Sequence, residues 1–251
     1  MLNVFFSAAI SVLIILALVG CMRNIAVVKS LDFIELDLSS IAKNKVFPTI
    51  YSDISTIPSY IKIGLVGYCT PDLCVGNSSN FAKFDIEKII IDVLISSNSV
   101  IENVVESSID LVLPNSFSNY INTFNKIIDG FTILLVVWIA LSIITLILKI
   151  VFFVFYRGFI WSIIYNFIRT LSSIVGVVCA VLATVGLFYG RKEFNKNDGD
   201  DLGLDLIVGK VFIIFLWVAV ALSFIDQIFS LFTPSYFNRR VRRQTVHPII
   251  V

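Results

Sequence analysis

Cys69 and Cys74 are separated by Thr70-Pro71-Asp72-Leu73, a spacing that suits a disulfide closing a short loop. Such a bridge stabilises by about 2 kcal/mol on a chain-entropy estimate. The other reading, two neighbouring thiols, is unstable wherever the surroundings are oxidising. A metal site is disfavoured, because only Cys21 could join the pair and a structural zinc needs four ligands. Cys21 and Cys179 fall in apolar runs and read as small packing residues. His247 is the single histidine, which leaves no Ser/His/Asp triad and no histidine metal centre. Asn77-Ser78-Ser79 is the one N-x-[S/T] sequon, so Asn77 is the glycosylation candidate.

Asp226 and Gln227 stand out inside an apolar stretch. A charge near the bilayer centre costs about 2.5–3.5 kcal/mol on insertion scales. The expectation is that Asp226 reaches interfacial water or pairs with Arg157 or Arg169. An ion pathway is the alternative, but it needs a second polar residue deep in another span, and the sequence marks none clearly. Ser172, Gly176, Ala180 and Thr184 recur every fourth residue, with Gly186 and Gly190 beyond them. Small residues let helices approach closely in lipid, so this stripe is expected to pack inside the bundle, with a homo-oligomer face as the alternative. Arg239, Arg240, Arg242 and Arg243 follow the last apolar run. They read as a topology signal and a candidate site for anionic lipid, at about 1 kcal/mol per basic residue near the surface.

The elements that must position these residues follow from composition. Hydrophobic residues make up 57% of the 251 and charged ones 15%; mean hydropathy is +0.93. A soluble domain has about 45–50% and about 25%, so lipid is the expected solvent. A bilayer core about 30 Å thick takes about 20 apolar residues in a helix. Four spans result: 1–22, 131–154, 168–189 and 209–232. A cytoplasmic turn and interfacial stretch (155–167) joins the second to the third. Lys149, Arg157, Arg169 and the tail arginines gather at one end. Loops 23–130 and 190–208 are net acidic. The positive-inside rule then places both termini, and the basic tail 233–251, in the cytoplasm. Met1-Leu2-Asn3 lacks the basic residue of a signal peptide, so the first span reads as a retained anchor.

Residues 23–130 are long enough for a small α+β domain. Leu31–Ser39 alternates at period two, and Tyr60–Cys69 reads as a second strand in which Gly64 and Gly67 permit close backbone approach or a bulge. Between 84 and 110 the apolar residues recur at helical spacing, which predicts two amphipathic helices. Pro114 then breaks the chain ahead of a helix over 115–128 that feeds the second span. There is no phosphate-cradling Gly loop and no HExxH. Neither catalysis nor a cofactor is therefore expected, and the one basic cluster sits beside lipid, which argues against nucleic acid.

With an anchor, an outer domain and three further spans in place, Gly64-Leu65-Val66-Gly67-Tyr68-Cys69 followed by Cys74 resembles the first-loop motif of the claudin-like tetraspans. The likeness is closer to the fungal PalI and Sur-seven family. It rests on Glu35–Ser39 (ELDLS), on Tyr60–Cys69 before the cysteine pair, on Leu111–Pro114, and on Gly203 and Trp217 around the fourth span. Within that family the branch upregulated in nitrogen stress is the most similar. The resemblance implies a non-enzymatic four-helix protein of the plasma membrane, in eisosome-associated cortical microdomains, supporting cell-wall integrity and stress response alongside other microdomain proteins. Val66 replaces the claudin-type Trp, which weakens the case for a paracellular pore. A claudin-like regulator of calcium influx, or a membrane sensor or adaptor, is the alternative.

Overall fold

A computed structural model describes residues 2–21, 30–39, 58–71, 74–76, 115–154, 159–195 and 205–232. Four helices carry most of the described residues. They are α1 (Leu2–Leu18), α2 (Asn115–Val154), α3 (Phe159–Phe194) and α4 (Lys210–Phe232). Of these, α2, α3 and α4 each hold a stretch long and apolar enough to cross a membrane: Asn125–Val151, Ile163–Phe194 and Lys210–Phe229. At 17 residues, α1 is about 25 Å long, close to the hydrocarbon thickness. It packs against α2 and α4, while α3 packs against α2 and α4.

The helices outrun the apolar segments seen in the sequence. With 40 residues, α2 is about 60 Å long, and the expected 115–128 helix is its first part. The third helix begins at Phe159, within the stretch read as an interfacial connection. Large apolar side chains such as Phe5, Ile133, Phe167, Val185 and Ile214 point outward from all four helices. Association here is not driven by hiding them, because lipid tails solvate them as well as a partner helix does.

One end of the bundle carries a five-stranded sheet in the order β4-β3-β2-β1-β5. The strands are β1 (Ile34–Asp37), β2 (Tyr60–Ile63), β3 (Gly67–Cys69), β4 (Cys74–Gly76) and β5 (Asp205–Val208). All pairings are antiparallel. Period-two alternation explains β2, β1 and β5. Ile34 faces Ile63 on one side and Val208 on the other, and Leu36 faces Ile61 and Leu206. All six are buried, while Glu35 and Asp37 take the opposite face.

Two features depart from the sequence reading. Tyr60–Cys69 is two strands, because Gly64 and Gly67 close a two-residue hairpin loop rather than a bulge; the Gly64 N–H donates to the Gly67 carbonyl at 2.8 Å. The fifth strand comes from 205–208, in the loop before α4, so the domain is built from both loops and not from the first alone. The expected helices between 84 and 110, Asn77 and the tail arginines lie outside the described residues.

The buried sheet face and the helix ends share one core. Phe33, Phe131 and Phe212 meet at its centre, with ring centroids 5.7 Å (Phe33–Phe131), 5.2 Å (Phe33–Phe212) and 6.0 Å (Phe131–Phe212) apart. Such aromatic pairs add about 0.5–1.5 kcal/mol each beyond their buried area. The sheet is thereby fixed to the bundle through side chains of α2 and α4.

Candidate functional site

The Gly-Cys motif forms one unit at the sheet–bundle junction. Leu65 and Val66, the hairpin tip, are buried. Any side chain at Gly64 would run into the Gly20 carbonyl and the Cys21 Cβ, so glycine here serves close backbone approach. Cys69 and Cys74 face each other across β3 and β4 and form a disulfide. The Cys69 sulfur is fully buried and lies 3.5 Å from the Cys21 carbonyl oxygen. This is a contact and not a hydrogen bond, because a disulfide sulfur has no proton to give. Replacing both Cys69 and Cys74 by alanine is expected to lower stability by about 2 kcal/mol, read as an earlier transition in denaturant titration of the detergent-solubilised protein.

On the same sheet, Lys62 bridges Asp32 at 3.4 Å and Glu35 at 3.3 Å. Burial lowers the Lys62 pKa, but the two carboxylates outweigh it and hold the ammonium above its ordinary value. A raised folded-state pKa contributes stability that is complete below the unfolded value, about 10.4, and fades as pH climbs through the folded one. Lys62→Met is therefore expected to flatten the stability profile above about pH 10, measured by thermal melts across alkaline buffers.

The second constellation lies toward the opposite end of the bundle, inside it. Lys149 of α2 donates to both Asp226 oxygens, at 2.7 and 2.9 Å, and to Ser7 Oγ of α1 at 2.6 Å. On α3 and α4, Ser173 and Ser223 share a hydrogen bond of 2.5 Å, and Gln227 Nε2 donates to Ser173 at 2.7 Å. One polar belt thus ties all four helices together. Arg169 lies at the same level with 6% exposure, its guanidinium 5.3 Å from the Tyr165 ring centroid.

The expected partners of Asp226 are corrected here. Asp226 is 2% exposed, enclosed by the bundle, and it pairs with Lys149 rather than with an arginine. In the sequence Lys149 counts only among the basic residues gathered at the cytoplasmic end of the spans. The signal that could have found the pair is that Lys149 and Asp226 each interrupt an apolar run at a similar distance from a helix end. The belt supplies the second deep polar residue that an ion path requires, but Lys149 and Arg169 against Asp226 leave it net positive. Such a field repels cations.

Along α3, Ser172 and Ala180 are buried in the bundle and Gly176 faces Trp138 of α2. A Cβ at Gly176 would sit 2.6 Å from the Trp138 ring. Thr184 donates to the Ala180 carbonyl at 2.7 Å and accepts from Trp217 Nε1 of α4 at 3.1 Å. Gly186 lies near Ile127 of α2, and Gly190 is buried.

Long apolar helices, a sheet built from the two loops at one end, and a disulfide beside a Gly-Cys hairpin define a claudin-like membrane protein with a four-helix core. The SUR7/PalI family model matches residues 1–229, and the chain belongs to that family. It is 23% identical over 224 residues to Protein PUN1 of Saccharomyces cerevisiae, covering 86% of this chain and 83% of that protein. No solved structure matches.

Proposed function

We propose that this is a non-enzymatic organiser of a plasma-membrane microdomain, of the eisosome-associated kind, that supports cell-wall integrity and stress response. In this reading both termini are cytoplasmic, the sheet and Asn77 face outward, and Arg239, Arg240, Arg242 and Arg243 hold anionic lipid of the inner leaflet. The observation that carries it is the interior. Trp138 fills the space opposite Gly176, and the deep charges Lys149 and Asp226 are spent on each other. A rigid bundle with a fixed cap suits presentation of surfaces to lipid and neighbours. The net positive belt counts against cation influx.

Live-cell imaging of the tagged protein tests this reading. Stable cortical patches are expected, and a diffuse or internal pattern would contradict it. Changing the four tail arginines to glutamine should disperse the patches if lipid attraction holds them; an unaltered distribution would remove lipid binding from the proposal. Purified protein in liposomes should pass no calcium above the rate of empty vesicles, and flux there would favour the influx reading.

A further inference from the structure

We propose that Arg169 is a phosphate site, filled by the headgroup phosphate of a phospholipid in the leaflet opposite the sheet. Arg169 is 6% exposed, and its Nε and Nη1 find no acceptor among the described residues. The Tyr165 ring, 5.3 Å from the guanidinium carbon, offers a π-face and no formal charge. Asp226 does not serve either, since both of its oxygens accept from Lys149. A buried guanidinium left in that state is strongly destabilising, so the arrangement calls for an anion.

The chain has little else to offer at this level. Residues 1–22, 131–189 and 209–251 contain a single acidic side chain, Asp226, against Lys149, Arg157, Arg169, Lys210 and the four tail arginines. Every other acid belongs to 23–130 or 190–208, the loops that supply the strands. Depth then decides which anion fits. The C-terminal end of α3 reaches the sheet, where Asn195 bonds Asp205 and Leu206. From there back to Arg169 the helix rises about 38 Å, more than a hydrocarbon core of about 30 Å. With the sheet outside one boundary, Arg169 lies near the other, at the level of headgroup phosphates. Asn166 and Thr170, beside it on α3, are exposed, so this part of the helix borders lipid. Tyr165 is half-buried, and its ring turns aside to admit the phosphate. A guanidinium gives phosphate oxygens several charge-assisted hydrogen bonds at once, and the two unused nitrogens are the donors for them.

The test uses full-length protein in which Arg239, Arg240, Arg242 and Arg243 are changed to glutamine, which removes the tail as a competing site. It is reconstituted in phosphatidylcholine, whose own cation offsets its phosphate. The vesicles carry a trace of phosphatidic acid or of diacylglycerol, spin-labelled on the same acyl chain, so the two probes differ by the phosphate alone. Electron spin resonance is expected to show saturable immobilisation of phosphatidic acid and little of diacylglycerol. Adding Arg169→Met should weaken phosphatidic acid association by about tenfold and leave diacylglycerol unchanged. Arg169→Lys, which keeps the charge without the planar fork, should fall between the two. Equal immobilisation of both probes by the parent protein, or no loss in Arg169→Met, would overturn the proposal. Inorganic phosphate on both sides of the membrane should not displace the lipid; displacement would give the site to free phosphate and overturn the lipid assignment. The comparison of probes on the parent protein does not depend on either Arg169 variant folding, nor on the microdomain reading, which imaging tests separately.

Discussion

Asp226→Ala is expected to cost about 3–5 kcal/mol, the largest loss from any single polar change in this protein. Asp226 supplies both oxygens that face the Lys149 ammonium, and it is all but inaccessible. Removing it leaves that ammonium inside the bundle with Ser7 Oγ beside it on α1 and the like charge of Arg169 nearby. The helices α1, α2 and α4 would then separate locally or the protein would fail to accumulate. Replacing both charges, Lys149→Met with Asp226→Leu, is expected to recover most of the stability. A buried ion pair often gives way to an apolar pair without loss, because its desolvation offsets much of its attraction. Denaturing-detergent titration of the four proteins in mixed micelles measures the coupling. If Asp226→Ala unfolds with the wild type, the pair does not hold the bundle.

Gly176→Leu is the second large effect, with an expected loss of at least about 3 kcal/mol, at the upper end of what overpacking costs. The first added carbon alone would sit 2.6 Å from Trp138, inside any tolerable contact. Trp138 is fully buried, so its ring has no room to swing aside, and α2 and α3 must part. Trp138→Ala is expected to cost about 3–5 kcal/mol through the cavity it opens. The double variant should be more stable than the sum of the two changes by over about 1 kcal/mol, since leucine would fill part of that cavity. Strict additivity would show that these helices do not meet at this position. A change in oligomeric state with unchanged monomer stability would instead place the stripe on an outer face.

These two sites show what the sequence makes legible. Span-length apolar runs announce the long helices directly, because lipid demands them. Leu31–Ser39 shows its strand through alternation, and the cysteine pair shows its bridge through spacing. By contrast, Asp205-Leu206-Ile207-Val208 is too short to declare itself. It becomes a strand because β1 offers an edge on which Leu206 and Val208 can be buried. The Gly64–Gly67 turn was misread because a glycine within a strand pattern suits a bulge and a hairpin equally well. The Lys149–Asp226 pair was missed because each charge alone lies close enough to a helix end to be explained by interfacial water. Pairing is a property of two helices brought together, and neither helix records it.

The arrangement as a whole is tested most directly on sealed cells, by mapping which face of the membrane each part occupies. After mild reduction, an impermeant maleimide added outside should label Cys74, while a protease site fused beyond Val251 should resist external protease until the membrane is opened. Outside access to both, or protection of both, would place sheet and tail on one face and contradict a bundle that carries its disulfide-pinned cap on one side and its arginines on the other.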